Sequence, residues 1–408
     1  MSSRGRWIPI WFLFAAGMIN YMDRSAVSVL APIFMKDLSL DPAQLGIVFS
    51  SFFAGYALFT FIGGYFADVL GPKRILTLAM SVWSAFCGLT AAAAGFTSLL
   101  VLRTIFGFGE GPFGAAANKM VNTRFPRRQI ATAVGLANAG TPIGGAVAGP
   151  IAGWLALRYG WRTSFVALAA IGFLWTFFWM SAVEDRPGAR KPLSEIERET
   201  DYSVVAQLES KLPLRFYLRR KIVLATSAAF FGYGYVLYFF LSWFPSYLTM
   251  AHHLSVRNMA FLNTIPWILG TIGLTASGIA CDLLSRITKD VLRARKLVLV
   301  LCLSAAAIFV GVAGLSSGLA WAVTCMTASI FFIYLTGATY WAIIQEAVPG
   351  ERVGAVSGFM HLIANCSGII GPAVTGFIVQ TTGIFTSAFL LAGSIAFLGA
   401  LLVAIFVK

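Results

Sequence analysis

Twelve apolar runs, each long enough to cross a lipid bilayer, restrict the fold of this chain more than any other feature. A membrane-spanning helix needs about 20 mostly apolar residues. Charged residues or Gly and Pro separate the runs, which cover residues 8–34, 44–69, 75–94, 98–123, 130–155, 161–184, 220–249, 256–284, 296–315, 318–346, 351–379 and 384–407. A mean hydropathy of +0.81 is too high for a soluble globular domain. We therefore predict an all-α integral membrane protein with twelve transmembrane helices.

A polar stretch between the sixth and seventh runs divides the chain into two halves. We predict an N-terminal six-helix bundle over residues 1–184, a linker over 185–219 and a C-terminal six-helix bundle over 220–408. The halves also repeat one another, because each has a Pro followed nine residues later by a Gly and then by a closing Gly-Pro pair. These positions are Pro126, Gly135, Gly149 and Pro150 in the first half and Pro349, Gly358, Gly371 and Pro372 in the second. Two parallel six-helix repeats are typical of transporters that bind substrate near the midplane.

The basic residues are distributed unevenly between the two sides of the membrane. Of 30 Lys and Arg residues, 23 lie in the termini, in the loops after even-numbered runs or at the run ends beside these loops. Four lie on the other side, and three, Arg24, Arg103 and Lys119, lie farther inside runs. Basic residues concentrate on the cytoplasmic side of membrane proteins. We therefore predict a multi-pass protein of the cell inner membrane with both termini cytoplasmic. This pattern accounts for the net charge of +14 without a nucleic-acid partner. The five cysteines follow no metal-ligand or redox spacing, so we expect no metal and no cofactor.

Several motifs resemble one known family. Around the loop between the second and third runs lie the signature residues Gly64, Asp68, Gly71, Lys73 and Arg74. Together with the repeat between the two halves, this signature resembles the major facilitator superfamily over essentially the whole chain. Within that superfamily, "NYMDR", "RTIFGFGEGPFGAAANKMVNTRFP" and "GWRTSF" resemble the anion:cation symporter family. The resemblance implies a twelve-helix carrier of organic anions such as sugar acids or aromatic carboxylates. It also implies that Asp68, Lys73 and Arg74 control conformational switching.

Two acids and two bases within the apolar runs are placed to share one pocket: Asp23, Arg24, Arg103 and Glu110. A charge at the bilayer centre costs about 3 kcal/mol on insertion scales, so such groups usually face a cavity and have partners. Arg103 precedes Glu110 by seven residues, which places both on one helix face about 10 Å apart. Neighbouring residues on a helix point about 100° apart, so we do not expect Asp23 and Arg24 to pair. We expect Asp23 to face Arg103 and Arg24 to face the cavity.

This set of charges predicts proton-coupled anion transport. The planar guanidinium of Arg24 is suited to bind a substrate carboxylate through two parallel donors. Asp23 and Glu110 are the candidate proton carriers, with Arg103 as part of the coupling, and the family resemblance supports these roles. The alternative is a static ion-pair network that fixes helix packing. Against it stands the cost of burying charges where apolar residues pack as well.

Further residues are predicted to line the substrate cavity. They are Tyr21, Tyr56 and Thr141 in the first half and Tyr340, Trp341, His361 and Asn365 in the second. Helix packing or an interfacial position is the alternative for the two tyrosines of the first half. His361 is either a packing residue or a cavity group that binds a hydroxyl, a second carboxylate or a proton. Sugar-acid members of the family usually carry Asn where this chain has His361, and galactonate or glucarate types carry Gln where it has Thr141. These differences point away from a simple aldonate or aldarate.

These features together predict a proton-coupled symporter that brings an organic carboxylate into the cytoplasm by alternating access. A sugar acid such as a hexuronate or aldonate ranks first among substrates, and an aromatic carboxylate ranks next. An antiporter or exporter of small molecules is the alternative, followed by a membrane sensor that does not transport. We expect no enzyme, because no nucleophile, metal cluster or phosphate loop stands out. The expected partners are the anion, protons and membrane lipid, and the expected oligomeric state is a monomer.

Overall fold

The computed structural model describes residues 7–125, 127–183 and 212–407, and within them all regular structure is helical. In chain order the α-helices are α1 Ile8–Asp37, α2 Pro42–Leu70, α3 Pro72–Leu89, α4 Phe96–Glu110, α5 Phe113–Arg124, α6 Arg127–Asn138, α7 Gly140–Tyr159, α8 Trp161–Ala182, α9 Leu214–Leu218, α10 Lys221–Met250, α11 Val256–Thr288, α12 Val291–Leu315, α13 Leu319–Thr336, α14 Thr339–Ala347, α15 Gly350–Thr382 and α16 Thr386–Phe406. A short 3-10 turn, Thr90–Ala92, extends α3. The all-α prediction is confirmed.

Nine of the twelve predicted runs each correspond to one helix, and the other three runs are each divided into two helices. The fourth run breaks between α4 and α5, the fifth between α6 and α7, and the tenth between α13 and α14. Nine helical segments of the described residues are long and apolar enough to cross a membrane. The first, fourth and fifth runs fall outside these nine. The helix of the first run, α1, carries polar residues at its middle. We call the side on which α1 begins the inner side and the opposite side the outer side.

The chain forms two compact units. Unit 1 comprises the described part of residues 7–183 with Phe240–Ile268 and Ile369–Phe385, and unit 2 comprises the described part of 212–239 with Leu269–Gly368 and residues 386–407. Unit 1 therefore contains the first six runs and also the outer parts of α10, α11 and α15. The domain boundaries at residues 184 and 220 stay a prediction.

Two glycines of α7, Gly140 and Gly144, allow α1 to pack closely against α7. A Cβ atom on Gly140 would lie 2.1 Å from the carbonyl oxygen of Phe14, and one on Gly144 would lie 2.0 Å from that of Met18. Neither glycine can be replaced without moving the helices apart, since real Cβ atoms do not approach so closely. The four-residue spacing puts both glycines on one helix face, which is the small-residue packing typical of membrane helices. This contact fixes α1, the helix that carries Asp23 and Arg24.

Two sets of contacts join the outer parts of the helices in unit 1. In the first set of contacts, the backbone N–H of Ala373 donates to Ser50 Oγ over 3.0 Å, and Trp243 Nε1 donates to the carbonyl of Pro372 over 3.0 Å. The Trp243 ring also meets Phe49 edge to face, with centroids 5.8 Å apart. These contacts join α2, α10 and α15.

The second set joins α7 and α11. Thr264 Oγ1 donates to the carbonyl of Ala146 over 3.0 Å, and a Cβ on Gly145 would lie 2.5 Å from the indole of Trp267. Trp267 is buried and also packs edge to face on Tyr21 of α1, with centroids 5.8 Å apart. We refer to the two sets together as the outer seal.

Candidate functional site

A buried ion pair joins α1 to α4 inside unit 1. Nε and Nη2 of Arg24 both contact Oε1 of Glu110, and the exposed fractions of the two side chains are 6% and 0%. The side chain of Asn20, one turn before Arg24, also lies near Glu110. In this structure the counter-ion of Arg24 is therefore an internal carboxylate, and the expectation that Arg24 faces the substrate cavity stays a prediction.

Alternating glycines in α4 and just after it place Glu110 in this position. A Cβ on Gly107 would lie 2.2 Å from the carbonyl oxygen of Phe52, and one on Gly109 would lie 2.7 Å from the backbone nitrogen of Trp83. A Cβ on Gly111 would lie 2.7 Å from another α2 carbonyl. Because these positions have no side chain, α4 lies directly against the backbones of α2 and α3. Glu110, between the glycines, contacts α1.

Three aromatic rings surround the guanidinium of Arg24. Its Cζ atom lies 5.5 Å from the ring centroid of Tyr21, 4.9 Å from that of Phe52 and 4.6 Å from that of Tyr56. A cation over an aromatic face is stabilised by the ring quadrupole, and more strongly where water is excluded. The structure thus brings the predicted residues Tyr21 and Tyr56 to Arg24. Phe52 was missed, although it lies one helical turn before Tyr56 on the same face.

Asp23 and Arg103 occupy the same buried region but do not form the predicted ion pair. No ion pair between them is present among the described residues, although the charge of Arg103 acts on Asp23. Asp23 Oδ1 and Arg103 Nη1 are both buried without a hydrogen-bond partner in this part of the chain. The guanidinium of Arg103 lies 4.2 Å from the ring centroid of Phe106 and 5.3 Å from that of Phe52. The guanidinium of Arg103 thus packs on aromatic rings instead of forming an ion pair with Asp23.

The surroundings of Asp23 include two residues that sequence analysis missed. Its carboxyl group lies beside the side chains of Trp83 and Cys87 on α3. Both are buried, and the Cys87 thiol points to the carbonyl of Phe165, with a sulfur–oxygen distance of 3.8 Å. A carboxylate in such a low-dielectric place is costly, whereas a protonated carboxyl group is not. No sequence motif marks Trp83 or Cys87, since both fall within an ordinary apolar helix face.

A small cavity lies beside the two arginines. It is lined by Arg24, Val27, Ser28, Phe49, Phe52, Phe53, Arg103, Leu241 and Ser242. The space open to the centre of a water molecule is about 20 Å³, enough for about one water. A molecule much larger than water does not fit into this cavity without movement of the surrounding helices.

A second cluster of predicted residues lies in unit 2. Tyr340 stacks on Phe230 with ring centroids 4.6 Å apart, and Trp341 and His361 both pack on the same ring at 5.7 and 6.1 Å. Trp341 and His361 also touch each other edge to face at 5.5 Å. The structure therefore brings Tyr340, Trp341 and His361 together around Phe230 of α10, a neighbour that their positions in the sequence did not predict.

The other predicted lining residues have partners of their own. Asn365 is buried, and its Oδ1 accepts a hydrogen bond from the hydroxyl of Tyr238 over 3.2 Å. The fully buried hydroxyl of Tyr340 lies 3.1 Å from Thr336 Oγ1. In unit 1, the hydroxyl of Thr141 donates to the carbonyl of Asn138 over 2.8 Å. The roles of these residues in binding stay a prediction.

The predicted gating residues lie at the inner ends of α2 and α3. Gly71, between the two helices, has φ = 88°, a conformation that glycine adopts without strain. Lys73 Nζ donates to the carbonyl of Met180 in the last turn of α8 over 3.3 Å, where the negative end of the helix dipole favours a cation. Arg74 is exposed. The side chain of Asp68 lies outside the described residues. Lys73 thus connects two helix ends, and its gating role stays a prediction.

On the outer side, the end of α1 is joined to the start of α8. Asp37 Oδ2 accepts hydrogen bonds from Trp161 Nε1 over 3.0 Å and from Arg162 Nη1 over 2.7 Å. These two donors, the indole first, hold the pKa of Asp37 below its usual value. The motif "GWRTSF" was used only as a family signature, but it supplies both donors. Sequence analysis missed its partner, Asp37.

Apolar helical segments with buried charges at their middle place the chain among polytopic membrane transporters. It belongs to the Major Facilitator Superfamily, which matches residues 13–365, and it is a transporter rather than an enzyme. It is 50% identical to a hexuronate transporter of Bacillus subtilis (strain 168) over 411 residues, which covers 100% of this chain and 96% of that protein. It is 29% identical to a probable galactarate/D-glucarate transporter of Escherichia coli (strain K12), covering 95% of this chain and 89% of that protein.

Solved structures confirm the fold. A D-xylose-proton symporter superposes with a TM-score of 0.79 at 15% sequence identity, covering 98% of this chain and 97% of that one. This likeness concerns the fold alone. The predicted resemblance to the superfamily and the predicted twelve-helix fold class are therefore confirmed.

Proposed function

We propose that this chain is a proton-coupled symporter that carries a hexuronate or a related sugar-acid anion into the cytoplasm. Alternating access is the mechanism, and a monomer in the inner membrane with cytoplasmic termini is the functional form. The observation that carries the proposal is the buried Arg24–Glu110 pair, with a second buried acid, Asp23, nearby. The relative that is 50% identical over the whole chain supports a hexuronate as the first substrate to test.

In this proposal Glu110 is an internal substitute for the substrate carboxylate. While Glu110 is ionised, it neutralises Arg24, and a substrate anion must displace it. Protonation of Glu110 removes its charge and leaves a buried guanidinium without its counter-ion, which is costly. A substrate carboxylate restores the charge balance through two parallel hydrogen bonds. Proton binding and anion binding therefore favour each other, which is the requirement for symport.

Asp23 and Arg103 form a second titratable set in the proposal. Asp23 Oδ1 is buried and has no hydrogen-bond partner among the described residues, so an ionised Asp23 is poorly stabilised there. Arg103 is held by the rings of Phe52 and Phe106 rather than by an ion pair. We assign Asp23 to proton exchange and Arg103 to the local charge balance.

The aromatic rings and polar groups described above are proposed to bind the sugar part of the substrate. Tyr21 and Tyr56 have their rings on the Arg24 guanidinium, so their hydroxyl groups are placed to reach a carboxylate or a neighbouring hydroxyl. In unit 2, Trp341 and His361 present an aromatic and a polar surface side by side. We assign Thr141, Tyr340, Trp341, His361 and Asn365 to contacts with hydroxyl groups or with the sugar ring.

Uptake into proteoliposomes tests the proposal. We expect purified protein to accumulate D-glucuronate or D-galacturonate when the lumen is made alkaline, and to lose accumulation when an ionophore collapses the gradient. Aldonates, aldarates and aromatic carboxylates are compared in the same assay. Accumulation that is unaffected by the ionophore would contradict proton coupling. Efflux of preloaded substrate driven by an inward proton gradient would instead identify an exporter.

A further inference from the structure

An open groove rich in positive charge lies in unit 2, at the start of α10. It has a volume of about 740 Å³ and is lined by Pro213, Arg215, Phe216, Arg219, Arg220 and Lys221. The groove combines the short helix α9 with the first residue of the membrane-spanning helix α10. Tyr217, the fourth of the five residues of α9, is fully buried and anchors this short helix to the unit.

Three of the four cations in this groove are available to a ligand. Arg215, Arg219 and Lys221 are exposed, and none of them belongs to an ion pair among the described residues. Arg220 differs, because its Nη1 donates to the carbonyl of Ala347 over 2.6 Å. The protein thus fixes one arginine and leaves a local excess of positive charge around it.

Apolar side chains border the cations. A second groove of about 520 Å³ shares Arg220 and Lys221 and is completed by Ile222, Ile405 and Phe406. The ammonium group of Lys221 lies 5.5 Å from the ring centroid of Phe406, so the two grooves meet at this pair. Phe216 is 48% exposed and Ile405 is 51% exposed. A ligand lying across both grooves would meet cations at one end and apolar surface at the other.

We propose that the two grooves bind an anionic phospholipid, with its headgroup phosphate among Arg215, Arg219 and Lys221 and its acyl chains along Ile405 and Phe406. Clusters of Lys and Arg beside a transmembrane helix attract anionic lipids, each contributing about 1 kcal/mol, or about fivefold in binding. The preference of basic residues for the cytoplasmic side would explain the cations, but it would not explain a groove with an apolar border. A free anion would use the cations but gains nothing from the apolar border.

Native mass spectrometry of the full-length protein tests this site. The protein is released from micelles that contain equal amounts of phosphatidylglycerol and phosphatidylcholine, and bound lipids are counted. The test variant is Arg215→Gln with Arg219→Gln and Lys221→Gln. The matched control is Arg286→Gln with Lys289→Gln and Arg293→Gln, three exposed basic residues at the α11–α12 connection.

Wild type and control are expected to retain phosphatidylglycerol in preference to phosphatidylcholine. In the test variant, the ratio of bound phosphatidylglycerol to bound phosphatidylcholine should fall at least about tenfold. Equal retention of the two lipids by wild type, or an equal loss in test and control variants, would overturn the proposal. A further arm adds millimolar inorganic phosphate. Displacement of the lipid by phosphate at that concentration would identify a soluble-anion site and would also overturn it.

Discussion

Replacing Glu110 by Gln removes the internal competitor for Arg24 while keeping nearly the same side-chain volume. In the wild-type protein at alkaline pH, a substrate carboxylate must displace an ionised Glu110 that is bound through Nε and Nη2 of Arg24. A hydrogen bond to a charged group contributes about 1.5–3 kcal/mol. Relief from this competition should therefore strengthen D-glucuronate binding by about tenfold to about a hundredfold at pH 8.

The pH dependence of binding is the sharper part of this prediction. Wild-type affinity should fall as pH rises, because the proton that frees Arg24 is lost, whereas the affinity of Glu110→Gln should be nearly independent of pH. Isothermal titration calorimetry of purified protein between pH 5.5 and pH 8.5 measures both. Glu346→Gln is the matched control, since Glu346 forms an ion pair with Arg295 over 2.8 Å outside the site. A Glu110→Gln variant with the wild-type pH dependence would refute the competition.

Three further predictions concern other parts of the structure. Arg24→Lys should weaken substrate binding at least tenfold although the charge is kept, because an ammonium group lacks the paired donors of guanidinium; equilibrium binding measures this. Gly145→Ala should loosen the outer seal, since its new methyl group would overlap the indole of Trp267, and labelling of a cysteine at Ser242 by an impermeant maleimide should become faster. Asp37→Asn should lower the melting temperature at pH 7, because the native state favours ionised Asp37, and the difference should disappear as pH falls through its lowered pKa.

Each of these has a control within the same chain. Arg295→Lys changes an arginine of an exposed ion pair and should leave substrate affinity unchanged. Gly278→Ala adds a methyl group that meets nothing within 4 Å and should leave labelling unchanged. For Asp37→Asn, a stability difference that persists at pH 2 would show that the carboxylate charge is not the cause. Unchanged binding in Arg24→Lys, or unchanged labelling in Gly145→Ala, would contradict the corresponding prediction.

The positions of the helices were predictable from the apolar runs, because a bilayer requires about 20 apolar residues per helix. The breaks inside three runs were not predicted, although Gly111 and Pro112 lie at the first, Gly140 at the second and Gly337 at the third. The four buried charges were also predictable, as intramembrane charges are rare. Which of these charged side chains form ion pairs was not predictable. Helix geometry correctly separated Asp23 from Arg24, but only the close packing of α4 on α2 and α3 determines that Arg24 meets Glu110.

The second-half residues show a similar limit. Tyr340, Trp341 and His361 come from two separate helices, α14 and α15, and nothing in their spacing indicates a shared neighbour. Phe230 on α10 brings them together, and it was indistinguishable in sequence from the other aromatic residues of that helix. Contacts between distant helices depend on packing that local sequence patterns do not encode.

Substrate-driven proton movement tests the central claim most directly. Proteoliposomes are loaded with a pH-sensitive dye, set to equal pH on both sides and clamped at zero membrane potential with valinomycin and potassium. Addition of D-glucuronate outside should acidify the lumen in wild-type vesicles, and Glu110→Gln should abolish the acidification while substrate exchange continues. Substrate entry without any acidification in wild-type vesicles would contradict proton-coupled symport.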